Sequence, residues 1–338
     1  MNKDKKIGGN LEVEADAMKE RDHGLTGQST EKEDTSTKED ASQKTQKHKA
    51  GFVNIIGNPN VGKSTLMNAF VGEKLSIITS KAQTTRHRIL GIVNGDDFQV
   101  VLSDTPGIIK PAYELQSSMM DFVKSAFEDA DVLLYMVEIG EKALKDERFF
   151  ERIKQSTIPV LLLLNKIDTA DQELLEEQVQ HWQELLPSAE LHPVSALTDF
   201  NVKNVFQRII ELLPEAPPYY PKDQLTDKPE RFFVNETIRE KILIHYKKEI
   251  PYAVEIETEE FFEEEEIIRI RSVIMVERDS QKGIIIGHKG SALKRVGVEA
   301  RKDLERFFGK QVHIELYVKV NKNWRSDARQ LKRFGYNG

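Results

Sequence analysis

The sequence predicts two joined domains: a doubly wound α/β domain with a mostly parallel sheet, then a smaller α+β domain. Apolar runs alternate with helical periods from Gly51 onward, as in α/β folds. A proline-rich stretch ends this pattern, and the element order then changes to α-β-β-α-α-β. The 338 residues are enough to build two separate cores.

Residues 1–50 are predicted to form a disordered polar tail. They contain no aromatic residue and combine 10 Lys/Arg with 11 Asp/Glu. Such a segment cannot bury enough apolar surface to offset its chain entropy. The stretch Leu11 to Arg21 could alternatively form a transient helix.

Residues 51–213 are predicted to form the α/β domain. Most of its strands are continuously apolar, as expected for parallel strands covered on both faces. The predicted strands are Phe52–Ile56, Phe98–Leu102, Val132–Val137, Val160–Leu164 and Leu191–Val194. The predicted helices are Lys63–Val71, Leu115–Glu128, Asp146–Lys154, Gln172–Leu185 and Val202–Leu213.

Residues 214–230 are predicted to be a stiff, extended linker, because they hold five prolines and show no helical period. Residues 231–338 are predicted to form the second domain with a basic C-terminal segment. Its predicted helices are Phe233–Lys247, a short one ending at Ile286, and Ser291–Phe308. Its predicted strands are Tyr252–Phe262, Ile267–Glu277 and Val312–Val320.

The first strand of the α/β domain is followed by the phosphate-loop pattern G-x-x-x-x-G-K-[ST], which opens a helix as the motif requires. Its backbone N–H groups can surround a β-phosphate. Lys63 would reach the β- and γ-phosphates, and the Ser64 hydroxyl would bind Mg²⁺. A chance Gly/Lys turn is the alternative. The predicted nucleotide contacts here are Gly57, Asn58, Pro59, Asn60, Val61, Gly62, Lys63, Ser64 and Thr65.

A second motif, Asp104-Thr105-Pro106-Gly107, ends another apolar strand. We expect Asp104 to hold Mg²⁺ through water and Gly107 to sense the γ-phosphate. Such a motif alone is more often an ordinary turn. Its position at a strand's carboxyl end, where open α/β sheets bind ligands, favours a site.

The base is predicted to be guanine. In Asn165-Lys166-Ile167-Asp168, the Asp168 carboxylate can accept the ring N–H and exocyclic NH₂ of guanine, a donor pair that adenine lacks. Ser195 and Ala196 follow a strand and could offer backbone N–H groups to guanine O6.

Thr85 is predicted to close over Mg²⁺ when the γ-phosphate is present, with Thr84 as the alternative, unless this is a plain surface loop. Lys63, Thr85 and Gly107 are therefore the predicted catalytic residues. Ile108 follows Gly107 where a glutamine could orient the attacking water. Hydrolysis by the isolated chain should thus be slow until a partner or an ion completes the site.

The second domain carries the G-x-x-G pattern Gly287-His288-Lys289-Gly290, which in KH domains clamps a nucleotide backbone. A helix cap is the alternative reading. Ile284 to Ile286 are expected to form an apolar face for bases. The predicted RNA contacts are Ile286, Gly287, His288, Lys289, Gly290, Lys294 and Arg295.

Charge supports this reading, because from Lys282 onward 14 Lys/Arg face 5 Asp/Glu in a chain of net charge −7. Eight glutamates lie between Glu255 and Glu266. We interpret them as a solvated strand edge and turn rather than a metal site. The chain contains no cysteine, and no apolar run reaches the roughly 20 residues of a membrane span.

These motifs resemble the Era family of GTPases from Gly51 to Tyr336. The segments that carry the resemblance are residues 57–65, 83–89, 104–107, 165–168, 193–196, 251–254, 284–290 and 318–325. The resemblance implies a P-loop GTPase domain followed by a type II KH domain. It implies Mg²⁺ with GTP, and K⁺ bound through Asn60 in place of an arginine finger.

The same resemblance implies a monomer that binds small-subunit ribosomal RNA near its 3′ end and assists small-subunit assembly in the cytoplasm, with weak peripheral association at the inner face of the cell membrane. Three alternatives remain: an RNA-modification enzyme, a GTPase acting on another RNA, and an RNA-binding scaffold with a vestigial nucleotide fold. Intact Lys63, Ser64, Asp104 and Asp168 argue against the scaffold.

Overall fold

The structure is a computed structural model that describes residues 48–336, so the predicted tail lies almost wholly outside the described residues. Its larger sheet has the order β2-β3-β1-β4-β5-β6. The strands are β1 Lys49–Ile56, β2 Ile89–Asn94, β3 Phe98–Asp104, β4 Val132–Glu138, β5 Val160–Asn165 and β6 Glu190–Pro193. β2 is antiparallel to β3 and the other neighbours are parallel.

Helices cover both faces of this sheet. They are α1 Lys63–Val71, α2 Glu114–Glu128, α3 Glu147–Lys154, α4 Gln172–Leu185 and α5 Val202–Leu212. Successive residues of β4 point to opposite faces, so Leu134 and Met136 join one core whereas Tyr135 and Val137 join the other. The predicted doubly wound fold is confirmed.

The structure differs from the predictions at two places near the amino end. β1 begins before Gly51, because Lys49 and Ala50 pair with Phe98 and Gln99 and Ala50 is fully buried. β2 was not predicted. It lies at the sheet edge, and Gly91 interrupts its short apolar pattern.

The predicted linker lies along the first domain. Ala50 N–H donates to the Pro214 carbonyl at 3.2 Å, and Ile92 N–H donates to the Leu225 carbonyl at 2.8 Å. The linker therefore supplies hydrogen-bond acceptors to both β1 and the edge strand β2.

The second domain packs helices against a three-stranded sheet of order β7-β8-β9. Its elements are α6 Glu230–His245, β7 Glu255–Glu263, β8 Ile267–Val276, α7 Asp279–Ile286, α8 Ser291–Phe308 and β9 Gln311–Val320. β8 is antiparallel to β7 and parallel to β9. β7 starts later than predicted because a 3₁₀ turn that contains Pro251 precedes it.

The C-terminal segment, residues 321–336 after β9, contains a helix that was not predicted, α9 Ala328–Arg333. Trp324, Leu331 and Tyr336 join a core of the first domain, although their sequence position follows the second. Among residues 48–336, no helix has the length and apolar character to cross a membrane.

Candidate functional site

The phosphate loop between β1 and α1 depends on two glycines. Gly57 and Gly62 have φ angles of 152° and 108°. A Cβ on Gly57 would lie 2.2 Å from the Met136 carbonyl oxygen, and one on Gly62 would lie 2.2 Å from Asn165 Nδ2. Neither position has room for a Cβ, so both residues must be glycine for the loop to turn this tightly at the end of β1.

Lys63 lies buried under this loop. Its Nζ donates to the carbonyl oxygens of Gly57 at 3.2 Å and Asn58 at 2.9 Å. Burial lowers the pKa of Lys63 to about 8, against the opposing effect of Asp104 and Glu141. A buried ammonium held by carbonyls is a ready partner for an anion.

Three predicted metal ligands converge beside Lys63. Ser64 Oγ lies 2.6 Å from Asp104 Oδ2 and 2.9 Å from Thr85 Oγ1. Burial raises the pKa of Asp104, and its Oδ1 is buried without a hydrogen-bond partner among the described residues. One carboxylate and two hydroxyls are hard oxygen donors that suit Mg²⁺, so the cluster fits this ion.

The structure distinguishes the two candidate threonines. Thr84 Oγ1 contacts Thr79 Oγ1 at 2.6 Å and donates to the Lys81 carbonyl at 2.7 Å. Thr85 Oγ1 instead lies 3.4 Å from Asp104 Oδ2. Of the two, Thr85 is therefore the one that reaches the cluster.

Gly107 lies directly against the phosphate loop. A Cβ there would lie 2.6 Å from Pro59 Cα, and the next residue, Ile108, donates its N–H to the Gly57 carbonyl at 3.0 Å. Thr105 Oγ1 donates to the Ile55 carbonyl at 2.7 Å. Residues 80–87, which include Thr85, are called the switch segment. The cavity between the phosphate loop and this segment is lined by Pro59, Asn60, Gly62, Lys63, Ser64, Thr65, Thr85 and Gly107, among others. Val61 and Pro106 are buried beneath it.

The second polar loop approaches the phosphate loop through Asn165. Its Nδ2 donates to the Val61 carbonyl at 2.7 Å, and its Oδ1 accepts the Ala196 N–H at 2.9 Å. Asp168 is exposed, and its Oδ1 accepts from Ser195 Oγ at 2.5 Å. The buried Asn165 side chain thus links the two loops through hydrogen bonds, while the exposed Asp168 carboxylate can face a ligand.

The two backbone N–H groups predicted to face guanine O6 already donate hydrogen bonds within the loop region. Ser195 N–H donates to the Phe200 carbonyl at 3.1 Å in a short β-bridge that closes the loop. Ala196 N–H donates to Asn165 Oδ1 at 2.9 Å, so guanine O6 would share this donor. Lys166 extends past this loop to Glu138 Oε2 at 2.8 Å.

The sequence did not indicate the role of Glu141. Its carboxylate accepts a hydrogen bond from Asn58 Nδ2, and Asn58 Oδ1 accepts the Lys145 N–H at 3.0 Å. Burial raises the pKa of Glu141 to about 7. The Asn58 side chain therefore fastens the phosphate loop to the segment after β4.

Asn60 takes a left-handed backbone conformation with φ 68° and is exposed at the cavity mouth. Its Nδ2 donates to the Ser80 carbonyl at 3.0 Å. The contact brings the amino end of the switch segment next to the phosphate loop.

The G-x-x-G loop between α7 and α8 has left-handed residues at Gly287, Lys289 and Gly290, with φ of 71°, 49° and 77°. His288 and Lys289 are exposed. A Cβ on Gly287 would lie 2.6 Å from Ala292 Cβ, whereas the space beside Gly290 is open. Backbone and positive charge are thus presented together at the start of α8.

A groove runs from this loop between α8 and β9. It is lined by residues that include Gly290, Leu293, Lys294, Gly297, Arg301, Ile314 and Leu316. The expectation of an apolar face at Ile284 to Ile286 is wrong for Ile285, which is buried in the domain core. The apolar lining was missed because it alternates along β9 with exposed residues.

The switch segment touches the second domain directly. Arg86 is buried and donates through Nη1 to the Val254 carbonyl at 2.8 Å and to Glu255 Oε2 at 3.3 Å. Lys81 Nζ donates to the carbonyls of Leu243 and Tyr246. Glu255 is therefore an exception to the solvated glutamate run that the sequence predicted.

Comparisons with known proteins agree with this geometry. Residues 52–166 match the family described as 50S ribosome-binding GTPase, and residues 249–325 match the KH domain. The chain is 44% identical over 291 residues to GTPase Era of Staphylococcus haemolyticus, covering 86% of this chain and 97% of that protein. It is 43% identical, with the same coverage, to GTPase Era of Staphylococcus epidermidis.

Two solved structures are similar over 86% of this chain and all of theirs, each with a TM-score of 0.82. One, 36% identical, is Era in complex with MgGDPNP and nucleotides 1506–1542 of 16S ribosomal RNA. The other, 37% identical, is a point variant of Aquifex aeolicus Era bound to GDP and AlF₄⁻.

Proposed function

Because the chain belongs to the Era family of GTPases, we propose that it is a GTP-hydrolysing switch that binds small-subunit ribosomal RNA near its 3′ end and assists small-subunit assembly. The convergence of Ser64, Thr85 and Asp104 beside buried Lys63 carries the nucleotide half of this proposal. The groove beside the G-x-x-G loop carries the RNA half.

Lys63 would exchange its two carbonyl acceptors for β- and γ-phosphate oxygens. Ser64 and Thr85 would hold Mg²⁺ directly and Asp104 through water, and the ion would neutralise phosphate charge. Thr85 belongs to the switch segment, so its hydroxyl reports whether a γ-phosphate is present. Gly107 would contribute its N–H to that phosphate.

Guanine selection would rest on Asp168, since its exposed carboxylate can accept two N–H donors in one plane. Ser195 Oγ already donates to Asp168 Oδ1 and orients it. Guanine O6 would share the Ala196 N–H with Asn165 Oδ1. Adenine lacks this donor pair, so it would make fewer hydrogen bonds to the carboxylate than guanine and bind more weakly.

Hydrolysis would use a monovalent cation, because Ile108 is a buried residue with no group to orient water. Asn60 is exposed at the cavity mouth, where its Nδ2 donates to the Ser80 carbonyl, so the Asn60 amide oxygen and nearby backbone carbonyls are the oxygens that a cation would meet there. Oxygens of this kind can replace the hydration shell of K⁺. The ion would stabilise charge that develops on the leaving phosphate.

RNA would lie in the groove with its backbone on the G-x-x-G loop. Lys289, Lys294 and Arg301 supply positive charge, the exposed His288 adds a polar ring beside them, and Leu293, Ile314 and Leu316 supply apolar surface for unstacked bases. The solved Era complex contains a 16S fragment. This observation favours the small ribosomal subunit as the partner. The description of the matched GTPase family instead names the large, 50S subunit.

Cytoplasmic action as a monomer, with weak peripheral association at the inner face of the membrane, forms the remaining part of the proposal. It is supported by the family resemblance, and cell fractionation with native mass determination tests it.

Crosslinking in cells followed by sequencing of the bound RNA tests the function. We expect reads at the 3′ end of small-subunit ribosomal RNA, and few of them for a variant with Asp at both His288 and Lys289. Reads on another RNA class would instead support one of the alternative functions. Purified protein should meanwhile convert GTP to GDP, which a vestigial fold would not do.

A further inference from the structure

His87 lies two residues after Thr85 and is surrounded by rings from three separate parts of the chain. Tyr336 stacks on it at 4.2 Å between centroids with an interplanar angle of 21°. Phe122 of α2 lies at 6.0 Å and Phe232 of α6 at 5.6 Å. Burial, reinforced by Arg239, Lys228 and Arg86, lowers the pKa of His87 to about 3, so the imidazole is neutral near pH 7.

Tyr336 is held on its other side as well. Its hydroxyl donates to Glu255 Oε2 at 2.7 Å, and the same oxygen accepts from Arg86 Nη1 at 3.3 Å. The backbone N–H of Tyr336 donates to the Leu331 carbonyl at 2.9 Å. Trp324 and Leu331 anchor the segment in the first domain's core.

We propose that Tyr336 is a positioning residue for nucleotide hydrolysis, which holds Arg86 and His87 so that the Thr85 hydroxyl stays at the metal site. This inference rests on the proposed role of Thr85. The C-terminal segment, which lies outside both the nucleotide motifs and the G-x-x-G loop, would thereby contribute to catalysis.

The physical reason is conformational entropy. Fixing Arg86 and His87 in advance reduces the freedom that the neighbouring Thr85 loses when a triphosphate orders it. GDP has no γ-phosphate and does not require Thr85. The contribution of Tyr336 should therefore appear in the binding and hydrolysis of GTP and be absent from the binding of GDP.

The test compares Tyr336→Ala and Tyr336→Phe with wild type and with the control Tyr317→Ala. Tyr317 is exposed on β9, where its ring lies against Arg271 rather than against the switch segment. For each full-length protein, fluorescence titration gives the affinities for GDP and a non-hydrolysable GTP analogue. Single-turnover assays give the hydrolysis rate.

Tyr336→Ala should lower both analogue affinity and hydrolysis rate by about tenfold, because an aromatic contact and a hydrogen bond are lost together. GDP affinity should remain at the wild-type value. Tyr336→Phe keeps the ring stacked on His87 and loses only the hydrogen bond, so analogue affinity and hydrolysis rate should each fall about threefold. Tyr317→Ala should match wild type.

An equal loss of GDP and analogue affinity in Tyr336→Ala would overturn the inference, since it would indicate general damage. So would wild-type behaviour of both Tyr336 variants. The Phe variant decides the question if the Ala variant does not fold. A wild-type chain that binds GTP without hydrolysing it would refute the enzymatic function, whereas the affinity ratio would still measure the role of Tyr336.

Discussion

Arg239 of α6 donates a hydrogen bond through Nη2 to the carbonyl oxygen of Thr84, the residue before the switch threonine. Its Nη1 also lies 3.4 Å from the Gln83 carbonyl, and Glu236 holds the same guanidinium. A buried arginine of the KH domain is therefore hydrogen-bonded to the backbone next to Thr85, the residue proposed to sense the γ-phosphate.

This contact predicts reciprocal coupling. A GTP analogue should change RNA affinity several-fold relative to GDP, and RNA should change analogue affinity by the same factor. Replacing the ion pair with Glu236→Gln and Arg239→Met together avoids leaving an unpaired buried charge and should bring both factors toward one. Titrations of each ligand with and without the other measure them. If neither ligand changes the affinity for the other in the wild-type protein, the two domains are not energetically coupled.

Asp168→Asn should weaken GTP binding by ten- to a hundredfold and favour xanthosine triphosphate, which presents an acceptor where guanine has its NH₂. Asp171→Asn is the matched control, because Asp171 caps α4 nearby by accepting the Leu174 N–H, a role that Asn also fills. Competition titrations give both affinities. Wild-type GTP affinity in Asp168→Asn would remove Asp168 from the base site.

Hydrolysis should require Mg²⁺ and proceed faster in K⁺ than in Na⁺ at equal ionic strength. Asn60→Ala should abolish that difference while retaining slow hydrolysis, and Asn204→Ala on the exposed part of α5 should retain it. Single-turnover rates in the two salts provide the measurement. Equal wild-type rates would reject the monovalent ion and leave the switch intact.

Two truncations should differ although their ends are four residues apart. Removing residues 1–46 should leave GTP binding and melting temperature nearly unchanged. Removing residues 1–50 also deletes Lys49 and Ala50 of β1, and with them the bond from Lys49 Nζ to the Glu211 carbonyl at 2.6 Å. A loss of several degrees is expected, since about 1 kcal/mol shifts a domain of this size by a few degrees. Thermal unfolding scans measure both truncated proteins. Equal melting temperatures would show that Lys49 and Ala50 add no stability to β1.

His288→Asp combined with Lys289→Asp should reduce RNA affinity sharply, because two carboxylates would face phosphates. The loop should keep its fold, since both glycines remain. Lys310→Asp, two residues beyond the carboxyl end of α8, is a control for charge reversal away from the loop. Wild-type binding should also weaken as salt rises, because phosphate contacts release counterions. RNA titrations at two salt concentrations would contradict the site if the double variant bound normally.

The nucleotide motifs could be located from sequence because each follows an apolar strand, and parallel strands bring their carboxyl ends to one edge. Contacts that join distant parts of the chain could not. Nothing local to Glu255 marks it as the one glutamate of its run that lies under Arg86. Likewise, Trp324 and Tyr336 follow β9 but join a core cluster with members such as Ile108, which lies more than two hundred positions earlier.

Trp324 and Trp182 are the two tryptophans of the chain, and both are fully buried in the same core. Trp324 Nε1 donates to the Ala253 carbonyl at 3.2 Å, so its indole lies where the C-terminal segment meets the rest of the protein. A Trp182→Phe chain would carry a single tryptophan, at that junction, which can be excited selectively over the eight tyrosines. Its emission maximum would shift to longer wavelength when the C-terminal segment detaches and the indole becomes exposed to water. Detachment could then be followed optically without a label or a bound ligand.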